Sequence, residues 1–243
     1  LADLLGAGAG VLAAMPLLNG LGGINGTLLA AAGLGAAAVL GLKIAPMPGL
    51  AKYAPPLLIF LALGGMLASL WLGWLEIDMG RLSTQKPITE SLARGGRTIY
   101  TAWDSFARTD LVDPGGDRPY ELYIDGAAGS VMPPTGDATL LRTDIGFFPF
   151  ATYQPERVLV IGPGGGLDIW FALSSRAREI TAVEINPASV DIVNRFAGYH
   201  GDLYGRPGVR VLVDEGRSVL RRQEKQYDLI YLSQVVTLAA ERS

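Results

Sequence analysis

Long apolar blocks fill the first third of this 243-residue chain, and short ones at regular intervals mark its last third. Residues 4–24, 27–42 and 55–75 are each close to the roughly 20 residues that carry a helix across a bilayer's hydrocarbon core, the second being somewhat short. The uncharged step Asn25-Gly26 between the first two suits a tight helical hairpin. Residues 43–54, with Pro46, Pro48, Gly49 and two lysines, read as a loop. Beyond residue 97 the blocks shorten to strand length. Residues 97–112 and 119–124 have strand character across a turn at 113–117, with Tyr120, Leu122 and Ile124 alternating as in a half-buried strand. Strands at 157–161, 179–184, 209–213 and 227–232 then alternate with helices at 167–175, 187–197 and 217–223. That alternation predicts a parallel sheet covered on both faces, with a ligand beyond the carboxyl ends of its strands. The expected organisation is a transmembrane helical segment of about three spans (1–75), a juxtamembrane linker (76–97), a small β region (98–150) and a Rossmann-like α/β domain (151–243).

Charge sharpens this division. Asp3, Lys43 and Lys52 are the only charged side chains before residue 76, and the other 40 of the 43 follow it. A buried helical core in a soluble protein, the alternative for the first blocks, would be unusually poor in charge. Trp71 and Trp74 stand where an interfacial aromatic belt belongs, and the small residues at 6–10 and 30–38 allow helices to approach closely in lipid. Arg81, Lys86, Arg94 and Arg97 after the third block outnumber Lys43 and Lys52 before it, which favours a cytoplasmic soluble part. The chain starts at Leu1 inside an apolar run and stops soon after the fourth predicted strand, so it reads as a piece of a longer protein, truncated at its C-terminus. A net charge of −3 without a basic block gives no case for nucleic acid. With no cysteine, disulfides and thiolate chemistry drop out. The single His200 cannot build a multi-histidine metal centre, and its polar loop, 198–205, predicts a surface position.

Candidate chemistry gathers at the predicted strand ends. The run Val158 to Ile161 stops at Gly162, and Gly164, Gly165 and Gly166 follow before a helix that contains Asp168. Glycines there let backbone approach a ligand closely, and Glu184, at the next strand tip beside Ile185, is placed to accept the two hydroxyls of a ribose. Asp214 and Glu215 follow the third strand and could accept the exocyclic amine of an adenine; the alternative is a solvated turn with Asp214 as helix N-cap. Glu184 could equally be an exposed loop carboxylate. Asp168 either favours a helix N-terminus through the dipole or meets a cationic ligand amine. Ser233 and Gln234 end the fourth strand. Taken together these residues predict an adenosine-containing cofactor. A nicotinamide dehydrogenase remains open, although Leu167 occupies the last position of the Gly-x-Gly-x-x-Gly pattern begun at Gly162.

The residues Val158 to Gly166, Ala182 to Asn186 and Tyr227 to Tyr231 resemble the polyamine (spermidine/spermine) synthase family, which shares the class I S-adenosylmethionine-dependent methyltransferase fold. The stretch Leu122 to Gly126 resembles that family's small β-domain, and the apolar start resembles its membrane-bound bacterial members. The resemblance implies a multi-pass protein of the bacterial inner membrane and a transferase that binds S-adenosylmethionine or its decarboxylated form. It further implies a small-molecule amine as acceptor; a homo-oligomer is left open by the sequence. Two departures stand out. The family carries an aspartate where this chain has Gly165, and Asp168 could replace it only if the turn repositions it. The family's proton-accepting aspartate falls at Ser233, so another group, such as Asp144 or Asp168, would have to serve as base. The expectation is therefore cofactor binding with weak or absent spermidine synthase turnover. Two further functions remain open: transport or ligand sensing without catalysis, and methyl transfer.

Overall fold

The computed structural model describes residues 2–73, 75–81, 86–136, 139–222, 224 and 226–233. The chain divides into two compact units, Leu1–Asp78 with Trp103–Ser105, and Met79–Ala102 with Phe106–Ser243.

The first unit holds two long helices, α1 (Ala2–Gly41) and α2 (Ala54–Leu72), with a single 3-10 turn at Gly49–Tyr53 before the second. Helix α1 is broken at Gly22 (φ 73°, ψ 173°), three residues before the expected Asn25-Gly26 step. Only glycine enters that backbone region cheaply. Asn25 and Thr27 stay within the helix and donate side-chain hydrogen bonds to Leu21 O (3.2 Å) and Gly23 O (2.8 Å). Helix α2 opens on Pro55 and Pro56, where a missing N–H costs nothing, and stops at the left-handed Gly73. A Cβ at Gly35 would lie 2.8 Å from Ile59 Cγ1 and 3.1 Å from Pro55 O, so a small residue sets the close approach of α1 and α2. Two stretches, Asp3–Gly41 and Gly49–Leu72, are long and apolar enough to cross a membrane, against three expected spans. Trp71 is exposed at the end of α2, and Trp74 lies outside the described residues.

The second unit begins with α3 (Pro87–Ala93), which falls inside the expected linker and buries Ile88 completely. A four-stranded sheet follows in the order β1 (Arg97–Trp103), β2 (Arg108–Asp113), β3 (Tyr120–Ile124), β4 (Ala128–Met132). Strands β2–β3 and β3–β4 pair antiparallel, with Leu122 opposite both Leu111 and Ser130. The strand expected over 97–112 is thus two strands interrupted at 104–107, and β4 is an addition. Short helices α4 (Thr139–Thr143) and α5 (Phe148–Tyr153) lead into the parallel sheet.

That sheet contains β5 (Arg157–Ile161), β6 (Glu179–Glu184), β7 (Val209–Val213) and β8 (Leu229–Leu232), in the order β7-β6-β5-β8. The first three match their expected bounds. Strand β8 starts two residues late, after Asp228, whose N–H donates to Arg157 O at 2.9 Å and whose side chain receives the Glu156 and Arg157 N–H groups at 3.2 and 2.8 Å. Central β5 is covered on both faces, so Val158, Leu159 and Val160 are all fully buried and read as a continuous apolar run. Helices α6 (Leu167–Ser174), α7 (Pro187–Arg195), α8 (Ala197–His200) and α9 (Gly216–Arg222) complete the alternation. Ile169, Phe171, Ile192 and Val193 from α6 and α7 join Val158, Val160, Ile180 and Ala182 in the main core. The architecture is α/β, with a Rossmann-like parallel sheet beside an antiparallel one.

His200 is not on the surface. It ends α8 only 3% exposed, its Nδ1 accepts the Leu203 N–H at 3.1 Å and its Nε2–H donates to Val193 O at 2.8 Å. Those two bonds fix a neutral tautomer that ties the end of α7 to the following loop, which a polar local sequence does not reveal.

Candidate functional site

At the carboxyl end of β5 the chain must turn sharply to enter α6, and it does so through left-handed glycines at 162, 164 and 166 (φ 73°, 50° and 97°). The loop is fastened from three sides. Gly162 N–H donates to Val183 O at 2.8 Å on the neighbouring strand. Glu184, at the tip of β6, accepts the Gly164 N–H at 3.1 Å on one carboxylate oxygen and the Asn186 N–H at 2.9 Å on the other. Buried Tyr204 donates its hydroxyl to Gly164 O at 2.8 Å. From the antiparallel sheet, Ser130 Oγ accepts the Gly165 N–H at 2.9 Å. A Cβ at Gly165 would stand 2.4 Å from Val131 O, so β4 and the loop meet backbone to backbone.

These elements enclose a cavity of about 240 Å³. Phe106, Leu122 and Phe171 supply apolar wall, and Ser130, Asp144, Asp168, Glu184 and Ser233 supply polar side chains. No lysine, arginine or histidine is among the described lining residues. The three acids are held differently. Asp144 caps the turn at Ile145–Phe147 by accepting the Gly146 N–H at 2.7 Å, and Tyr231 fixes that turn by donating to Gly146 O at 3.0 Å. Asp168, in the first turn of α6, is 7% exposed and accepts no hydrogen bond from a described residue. Burial, with Asp144 nearby as a lesser cause, pushes its carboxyl up to about 7. Glu184 is also raised by burial, against N–H bonds from Asn186, Gly164 and Ile185 that favour its charged form. A pocket of this kind stabilises a cation and opposes an anion.

The structure therefore brings Gly162, Gly164, Asp168, Glu184, Ile185 and Ser233 to one cavity. Glu184 is a buried carboxylate rather than an exposed one. Gly165 and Gly166 support the loop from behind, against Val131 and Leu203. Asp214 and Glu215 do not line the cavity. Asp214 pairs with Arg222, and exposed Glu215 accepts the N–H groups of Arg217 and Ser218, both at 2.9 Å. The helix-capping role expected of Asp214 thus belongs to Glu215. Gln234 lies outside the described residues. Ser130, Phe106 and Tyr204 were not foreseen. Ser130 and Phe106 sit in segments with no motif, and the link from Tyr204 spans 40 residues.

No protein-family model matches the chain. The polyamine aminopropyltransferase of Bacillus subtilis (strain 168) is 26% identical over 136 residues, which are 55% of this chain and 48% of that protein. The chain thus spans about half the length of the curated relative it matches. Two solved structures are similar at 17% identity: spermidine synthase from Thermotoga maritima (TM-score 0.44, 56% of this chain and 47% of the other) and spermidine synthase in complex with the transition state analogue AdoDATO (TM-score 0.45, 57% and 48%). The likeness suggested by the glycine turn and the strand tips thus recurs as a sequence similarity to a polyamine aminopropyltransferase over about half of the chain.

Proposed function

We propose that the second unit binds decarboxylated S-adenosylmethionine and serves aminopropyl transfer to a small amine. The observation that carries this reading is the cavity itself: a glycine turn fastened by Glu184, lined by three carboxylates and by no described cation. Glu184 retains lone pairs for the two ribose hydroxyls after accepting its backbone N–H bonds. Bound there, the sulfonium would supply an electrophilic carbon with a neutral thioether as leaving group. Asp144 and Asp168 favour positive charge, so they suit the decarboxylated form over S-adenosylmethionine, whose carboxylate would add a fourth negative group. The same charge disfavours the pyrophosphate of a nicotinamide dinucleotide. The name of the relative, polyamine aminopropyltransferase, supports the reaction class. Calorimetry on the full chain in detergent tests the reading. Glu184→Ala should weaken binding of decarboxylated S-adenosylmethionine about tenfold to a hundredfold, the worth of a charge-assisted hydrogen bond. Unchanged affinity would overturn it.

Ser233 favours a second reading, in which binding persists without ordinary turnover. It lines the cavity where the resemblance places an aspartate, and a hydroxyl cannot take a proton from an ammonium at neutral pH. If Ser233→Asp raises aminopropyl transfer to putrescine, the domain has drifted from a synthase; if the unaltered chain already turns over well, this second reading fails.

The first unit serves, in this proposal, as a membrane anchor. Its helices present Leu12, Phe60 and Trp71 outward at 80%, 72% and 87% exposure, a surface suited to lipid. The basic residues that follow α2 support a cytoplasmic side for the second unit.

A further inference from the structure

We propose that Thr109, on β2 of the antiparallel sheet, is a positioning residue for the Glu184 carboxylate and acts on it through Asn186. The inference rests on the reading of Glu184 as the ribose acceptor and extends it to a residue that neither the glycine turn nor the strand tips include. Strand β2 buries Arg108, Thr109, Asp110, Leu111 and Val112 without a break. Its polar members therefore need partners inside the fold. Arg108 and Asp110 satisfy each other, the guanidinium Nε–H donating to the Asp110 carboxylate at 2.8 Å, and the Thr101 hydroxyl donates to that carboxylate at 2.6 Å. Alternation along the strand sends Thr109 to the opposite face. There its Oγ1 accepts the Asn186 Nδ2–H at 2.8 Å, and both residues are fully buried. Valine has nearly the same outline as threonine and suits a buried strand at least as well, so packing alone gives no reason for the hydroxyl.

Asn186 is the joint between that hydroxyl and the site. Its side chain is held at both ends, Nδ2 by Thr109 and Oδ1 by the Ala188 N–H that it accepts at 3.0 Å as N-cap of α7. Its main-chain N–H is thereby aimed at Glu184 and donates to one carboxylate oxygen at 2.9 Å. The Gly164 N–H donates to the other oxygen at 3.1 Å. A carboxylate swings easily about its last bond, and tying each oxygen to a different element stops that rotation. The lone pairs left over then keep one direction toward the cavity, which is how a supporting residue raises the precision of a binding group. The post itself is rigid. The Arg108 N–H donates to Asp125 Oδ1 at 3.0 Å, and Thr109 stands opposite Ile124, itself a lining residue of the cavity. Strand β2 thus fixes a piece of the cavity wall and the orientation of the carboxylate together.

Calorimetry with decarboxylated S-adenosylmethionine on the full chain in detergent tests the proposal. Thr109→Val leaves the Asn186 amide donor buried without an acceptor and should weaken binding about tenfold. Thr109→Ser restores the acceptor and should bind within about twofold of the wild type. A packing role alone predicts the opposite order, because serine loses a buried methyl group that valine keeps. Asn186→Ser keeps an N-cap oxygen and removes the amide donor, so it should show the same loss as Thr109→Val and carries the test should that variant not fold. Coupling is the decisive readout. In a Glu184→Ala background either substitution should change affinity by less than about twofold, because the group it positions is gone. Wild-type affinity in both Thr109→Val and Asn186→Ser, an equal loss in Thr109→Ser, or a further loss of about tenfold on top of Glu184→Ala would overturn the proposal. If the wild type does not bind the cofactor at all, the cofactor reading falls and this inference with it, a result distinct from unchanged affinity in the variants.

Discussion

Asp168→Asn should make the protein more stable above neutral pH and leave it unchanged in acid. The carboxyl is 7% exposed, sits near Asp144 and titrates near 7 against an ordinary value of 3.8. A raised carboxyl binds its proton more tightly in the folded than in the unfolded state. Its contribution is therefore fully present below about pH 4 and is lost as pH climbs through 7. Three pH units at about 1.4 kcal/mol each set an upper bound of about 4 kcal/mol for ionised Asp168, and water entering the cavity lowers the expected figure to about 2–4 kcal/mol. Asparagine keeps the shape and removes the charge. Chemical denaturation of the full chain in detergent, followed by intrinsic fluorescence from pH 4 to pH 8, should show wild-type stability declining relative to the variant across that range. A variant that is neutral or less stable at pH 8 would refute the argument, because the burial of an uncompensated carboxylate would then carry no free-energy cost.

Three further outcomes follow from the same geometry. Gly165→Ala should cost about 1–3 kcal/mol in the same denaturation assay, since its Cβ would meet the Val131 carbonyl at 2.4 Å and strand backbone cannot step aside. His200→Ala should destabilise by about 1–3 kcal/mol, because Leu203 N–H and Val193 O lose their shared buried partner. The full chain should remain with membranes after a carbonate wash; recovery in the soluble fraction would defeat the anchor reading.

Strands β5, β6 and β7 were legible to the residue because each is an apolar run closed by glycine or acid. Strand β4 was not: Ala128, Gly129 and Ser130 have little strand preference, and their pairing to β3 comes from tertiary context. That loss mattered for the site, since Ser130 and Val131 brace the glycine turn. Gly162, Gly164, Asp168, Glu184 and Ser233 were legible because strand ends converge in a parallel sheet, whatever the details of packing. Asp214 and Glu215 looked equivalent to Glu184 by that rule, yet the helix that follows them claims Glu215, and Arg222 claims Asp214. The break in α1 was placed by composition at Asn25-Gly26, whereas backbone geometry chose Gly22, one of several glycines with the same freedom.

The central claim is that this cavity takes an adenosyl sulfonium bearing an amine and no carboxylate. Equilibrium binding of decarboxylated S-adenosylmethionine, S-adenosylmethionine and NAD to the full chain, side by side at pH 7.5, tests it most directly. The account predicts that the decarboxylated form binds at least about tenfold tighter than S-adenosylmethionine, as one unpaired negative charge beside Asp144 and Asp168 requires, and that NAD binds weakest. Equal or tighter binding of S-adenosylmethionine or NAD would contradict it.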